Sequence, residues 1–223
     1  MSRSRNFPSS RVRKHNTPQR LVSANRHRRS HGAKPAAGFR QRGGQAGHSE
    51  AFNAPEIWHE PAGDGRFEFL VDEPGAGFLH PVTADEVAER IELLPECFTR
   101  GLETVHLREM TRKRSLFPCY GMQWGATVYL YPIEESLVET YPRAPRPHQL
   151  IEARMFGGRW EQAGKIWTLS WTAETIRDFY LNNVLIHEIG HIVDDRNSNF
   201  NDRERFANWF AIEHGYRASR GRR

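Results

Sequence analysis

Cysteine is scarce in this chain. Cys97 and Cys119 are the only two in 223 residues, too few for a disulfide framework and without the clustered spacing of a zinc-thiolate site, so buried free thiols are expected. No apolar run approaches the roughly 20 residues of a membrane span, and no charged start followed by an apolar stretch marks a secretory signal. These absences point to a soluble, cytoplasmic protein. No internal repeat is present.

Acidic residues are nearly absent from the first fifty positions, where Glu50 stands alone against twelve Lys and Arg. Gly, Ser, Pro and Asn are frequent there and apolar periodicity is lacking, the composition of a disordered arm. The arm carries +11 of a total net charge of +5, leaving −6 for residues 51–223. The basic pI near 9.5 therefore describes the arm and not the domain. Such an arm suits non-specific contact with nucleic acid or an acidic partner. Phe7 and Phe39 are too sparse for a base-stacking platform. The Arg-rich, acid-poor start also matches an organellar transit peptide, although its prolines and glycines disfavour an amphipathic helix.

Against this background one segment stands out: His187-Glu188-Ile189-Gly190-His191, an H-E-x-x-H pattern. On a helix, residues i and i+4 share a face, so His187 and His191 can hold one Zn²⁺ while Glu188 reaches a water on that metal. Leu181, Val184, Leu185, Ile186, Ile189, Ile192 and Val193 surround the histidines, which predicts a buried helix. Buried imidazoles beside a buried carboxylate need a partner, and a metal satisfies all three.

A catalytic zinc wants a third protein ligand and one open position. After a polar turn at 195–201, a second helical pattern opens at Glu204, and two antiparallel helices would return Glu204 to the histidines. Asn208, one turn further along that face, is placed to hydrogen-bond the second nitrogen of a ligating imidazole, His187 first. Glu204, Ala207 and Asn208 follow His187, Glu188 and His191 in the manner of the gluzincins, zinc peptidases with H-E-x-x-H on one helix and E-x-x-[AS]-[ND] on the next. The run through Trp209, Phe210 and Ala211 is also similar to the ImmA/IrrE-type peptidases. The resemblance covers residues 187–211. It implies Glu204 as third ligand, Glu188 as general base and peptide hydrolysis as the chemistry.

His214, Tyr216 and Tyr180 are candidates, by residue type alone, for stabilising an oxyanion. Asp194 and Asp195 close the metal-pair helix against its dipole, which calls for a compensating cation, and one of them is a candidate to orient His191. Gly190, costly inside a helix, implies close approach by another backbone or by a substrate.

Between arm and metal pair the pattern is α+β. Strands are expected at 66–72, 104–108, 126–133, 150–156 and 165–170, joined in one sheet. A helix over 84–94 is announced by the capping-box pair Thr83 and Glu86. Thr172 caps a long helix over 173–194. The expected fold is zincin-like: a mixed or antiparallel sheet packed on the buried HExxH helix, with an edge strand beside the catalytic water. The segments at 125–131 and 165–171 are the candidates for that edge, the former preferred for its small side chains.

The sequence thus divides into a basic arm (1–50), a zincin-like metallopeptidase domain (51–216) and a basic tail (217–223). Its expected cofactor is Zn²⁺ and its expected partner a protein or peptide substrate. A non-catalytic, zinc-containing regulatory or binding protein is the alternative, against which Glu188 argues because a structural zinc needs no general base.

Overall fold

The computed structural model describes residues 67–116 and 119–221. The basic arm and the first residues of the expected domain lie outside them.

Three strands run parallel at the heart of the fold. β1 (Glu68–Val71) pairs with β3 (Thr104–Leu107), and β3 with β5 (Thr127–Leu130). β4 (Gly121–Trp124) closes one edge antiparallel to β5. The β4–β5 hairpin turns on two residues, and the first, Gly125, sits at φ 58°, a left-handed conformation that a two-residue hairpin demands and glycine accepts. The register places Val71, Leu107, Leu130 and Gly121 in one row, and Leu70, His106, Tyr129 and Met122 in the next. Because successive residues point to opposite faces, the row of Leu107 and Leu130 meets the core and the row of His106 and Tyr129 faces away from it.

Two smaller sheets flank this one, where sequence reading expects a single sheet. β2 (Phe78–Leu79) pairs with β6 (Ile133–Glu134), and β7 (Val138–Tyr141) and β8 (Arg159–Ala163) sandwich β9 (Ile166–Ser170). The segment expected as a strand at 150–156 is instead a helix, Pro147–Met155. Its apolar cluster suggests a strand, but Ile151 is exposed and only Ala153 is buried within the helix. Pro147 at the first helical position supplies the start signal.

The capping box forms as expected: Thr83 and Glu86 bond each other's backbone N–H at the start of helix Ala84–Glu92. Thr172 caps the long central helix, which runs through Ala173–Phe179, a π-helical turn Tyr180–Val184, and Leu185–Val193. Leu185, Ile186 and Ile189 are fully buried against the sheet side of the core. A C-terminal helix follows. It starts at Phe200 with Asn199 as its cap, four residues before the expected opening at Glu204, and continues through a second π-helical stretch, Ala211–Arg217, to Ala218–Arg220. Arg220, which the sequence places in a basic tail, pairs with Asp178 of the central helix at 2.6 Å and lies over the Tyr216 ring. No helix among the described residues is long and apolar enough to cross a membrane.

Candidate metal centre

The central and C-terminal helices approach closely at one point. A Cβ on Gly190 would stand 3.1 Å from the Cα of Ala207 and 3.2 Å from Phe210 Cβ. Gly190 therefore answers to helix packing, and the small Ala207, fully buried, completes the contact. Because Ala207 sits one turn beyond Glu204, this contact also sets how near Glu204 comes to the histidines.

Their donor atoms converge. His187 Nε2 and His191 Nε2 are 3.1 Å apart, and the Glu204 carboxylate places one oxygen 3.7 Å from the first and the other 3.4 Å from the second. A tetrahedral zinc with bonds of 2.0 to 2.2 Å has ligand-to-ligand edges of about 3.3 to 3.6 Å; each imidazole has one Glu204 oxygen near that distance, and a turn of the carboxylate is needed to bring one oxygen to both. The chemistry of the set fits as well. Burial, then His191, holds the His187 imidazole far below its ordinary pKa, which keeps the ring neutral and its lone pair available.

Glu188 also lies with both histidines inside a 4.8 Å group of donor atoms. Glu204 turns one oxygen toward each imidazole while Glu188 is bonded elsewhere, so Glu204 is the carboxylate that could join the histidines as a third ligand. The Glu188 carboxylate takes a hydrogen bond from the Gln123 backbone N–H, and burial, reinforced by Glu204, raises its pKa to about 8. The bond comes from the sheet edge. Tyr131 N–H donates to Tyr120 C=O, so Tyr120, Met122 and Trp124 make the inward ladder bonds, and Gly121 and Gln123 turn their backbone groups outward. Gly121 is essential to the approach: a Cβ there would stand 3.0 Å from Glu188 Oε1 and 2.6 Å from Val184 Cγ1.

The edge beside the site is thus Gly121–Trp124. The preferred segment at 125–131 supplies β5, which is interior, and the other candidate, at 165–171, holds the middle strand of a separate sheet. The signal for the true edge is the Trp124-Gly125-Ala126 turn, which reads as a hairpin only if a strand precedes it.

Asn208 hydrogen-bonds the His187 imidazole. His191 Nδ1 is buried and without a hydrogen-bond partner among the described residues. Asp194 does not serve it: its carboxylate accepts from the backbone of Arg196 and Asn197 and from the Asn197 amide. The compensating cation at the helix end is Arg203, which donates to the His191 carbonyl at 3.1 Å.

The oxyanion candidates are engaged elsewhere. Tyr180 is buried with its hydroxyl donated to the Tyr131 carbonyl at 2.7 Å. His214 packs among Phe98, Trp209 and Phe210, and Tyr216 lies edge-on to Phe156 beneath Arg220. Of the two free thiols, Cys97 is exposed, against expectation, and Cys119 is partly buried next to the edge strand. The chain matches no family model, and no curated protein or solved structure is significantly similar to it.

Proposed function

We propose that this protein is a zinc-dependent peptidase of gluzincin type on a zincin-like fold. The observation that carries the reading is the convergence of His187 Nε2, His191 Nε2 and the Glu204 carboxylate at mutual distances of 3.1 to 3.7 Å, with Glu188 beside them. Those three side chains would hold Zn²⁺. When bound, zinc supplies Lewis acidity, lowering the pKa of a water and polarising the scissile carbonyl.

The remaining work belongs to the chain. Glu188, beside both histidines, is placed to take a proton from the attacking water and return it to the leaving amine once the positive charge of the ion favours its carboxylate form. Asn208 fixes the orientation of the His187 ring. The outward backbone groups of Gly121 offer an extended peptide a place to add as a strand, which sets its carbonyl against Glu188. Once a peptide occupies the edge, the Gln123 N–H is available to it if Glu188 swings to its proton-accepting position.

The Gln123 bond to Glu188 also favours a second reading, a zinc-containing regulatory or binding protein in which that carboxylate only buttresses the edge strand. Glu188→Gln separates the two. A peptidase retains its zinc in this variant and loses about 10²- to 10⁴-fold in cleavage of a denatured-protein pool. Equal cleavage by wild type and variant refutes the general-base role.

A further inference from the structure

Two guanidiniums lie buried at the carboxyl ends of β3 and β5, and one carboxylate answers them. Arg108 is 6 % exposed and reaches Asp72 at 3.3 Å, a carboxylate it shares with His106 at 3.1 Å. Arg114 is 9 % exposed. Its guanidinium lies 4.7 Å over the Tyr131 ring, bonds the Tyr131 hydroxyl and points one nitrogen at Met122 Sδ, 3.2 Å away. No carboxylate among the described residues pairs with it. A thioether and an aromatic face are weak compensation for a desolvated cation. A ligand oxyanion would complete the set.

The position of Arg114 says where that anion comes from. Met122 belongs to the edge strand and follows Gly121, whose Cα lies against the Glu188 carboxylate. A peptide added to this edge alternates its side chains between the two sheet faces. Those on the face of Glu188 meet the metal centre. Those on the opposite face, the face of Met122, meet Arg114.

Resting on the peptidase reading above, we infer that Arg114, with the Tyr131 hydroxyl, is a specificity site that binds the carboxylate of an acidic substrate residue one strand position away from the cleavage point. Arg108 stays committed to Asp72.

Two measurements on the full-length, zinc-loaded chain test this. In a pool of peptides, wild-type cut sites carry Asp or Glu at one fixed position, and the kcat/KM ratio of an acidic peptide to its amide analogue is about 10 or more, as a charge-assisted hydrogen bond would give. Arg114→Met brings that ratio near one, and Arg114→Lys keeps part of it. Cut sites without acidic bias, or a bias that survives in Arg114→Met, overturn the assignment. The second measurement needs no turnover: acetate, compared with chloride at equal ionic strength, raises the Tm of wild type and leaves that of Arg114→Met unmoved. A chain that cleaves nothing yet shows this shift keeps the anion site while the peptidase reading falls. A missing shift in wild type, or one retained in Arg114→Met, overturns the site itself.

Discussion

The Cα of Gly121 lies against the carboxylate of Glu188, so closely that any side chain at 121 would meet Glu188 Oε1 at 3.0 Å and Val184 Cγ1 at 2.6 Å. Strand and helix touch here through the one residue type that leaves room for a carboxylate. Gly121→Ala must therefore displace either the edge strand or Glu188. We expect its kcat/KM to fall about 100-fold, the effect of a misplacement near 1 Å, while zinc content measured by elemental analysis stays at one per chain. Wild-type kinetics in this variant would show that the contact tolerates a methyl group.

Removal of any of the three donors should be read first in metal and only then in activity. His187→Ala, His191→Ala and Glu204→Ala are each expected to lose stoichiometric zinc after dialysis, because two ligands hold the ion far less well than three. Full zinc retention in Glu204→Ala would remove that residue from the set.

Asn208→Ala leaves the three donors in place but removes the hydrogen bond to His187. Zinc should remain stoichiometric under excess metal. Release to a chelator should be faster, and activity lower, by about 10- to 100-fold. Chelator kinetics equal to wild type would reduce Asn208 to a surface residue.

Gly215→Ala tests the other crossing of the same two helices, where an added Cβ would fall 1.9 Å from the Asn182 carbonyl oxygen. Backbone cannot yield as a side-chain tip can, so the variant should lose about 3 kcal/mol in denaturant unfolding. A loss below about 1 kcal/mol would mean that the C-terminal helix slides freely on its partner.

Glu139 provides a pH handle away from the metal centre. Burial raises its pKa above the ordinary 4.5, against opposing hydrogen bonds from Tyr120, Trp171 and Tyr141, with Glu134 the neighbouring acid. A carboxyl that holds its proton more tightly when folded contributes stability at acid pH and loses it as pH rises through the folded value. Glu139→Gln keeps acceptors for Tyr120 and Trp171 but cannot ionise. Its Tm relative to wild type should therefore climb between about pH 4.5 and the raised value. A pH-independent difference would place the Glu139 pKa at its ordinary value.

What could be read from the sequence was local. Thr83 and Glu86, Thr172, and the i, i+4 spacing of His187 and His191 each act within one or two turns, so their structure follows from adjacent residues. The return of Glu204 was also legible, because a polar stretch between two helical patterns forces a reversal. Residues whose state depends on distant neighbours were not. Leu150 to Phe156 reads as a strand because apolar residues crowd there, but the helix starts upstream at Pro147 and docks through Ala153 alone among its residues. Gly121 to Trp124 has no strand-like composition; it is a strand because β5 pairs with it. Arg114 is one basic residue among three in sequence, and its burial over Tyr131 arises from a fold that brings residues 114, 122 and 131 together.

The π-helical turn Tyr180–Val184 acts as a phase shifter between two halves of one helix. Each π-turn holds one residue more than an α-turn, so everything after it is rotated by about 100° relative to an uninterrupted helix. Ile176 and Phe179 face the core before the turn, and Leu185, Ile186 and Ile189 face it after. An α-helical continuation would have swung His187 and His191 away from Glu204 by more than a quarter of a turn. Loss of one residue anywhere in 180–184 should therefore restore an α-turn and leave His187 and His191 facing Glu204, whereas one residue inserted after Val184 should swing both away by about 100°.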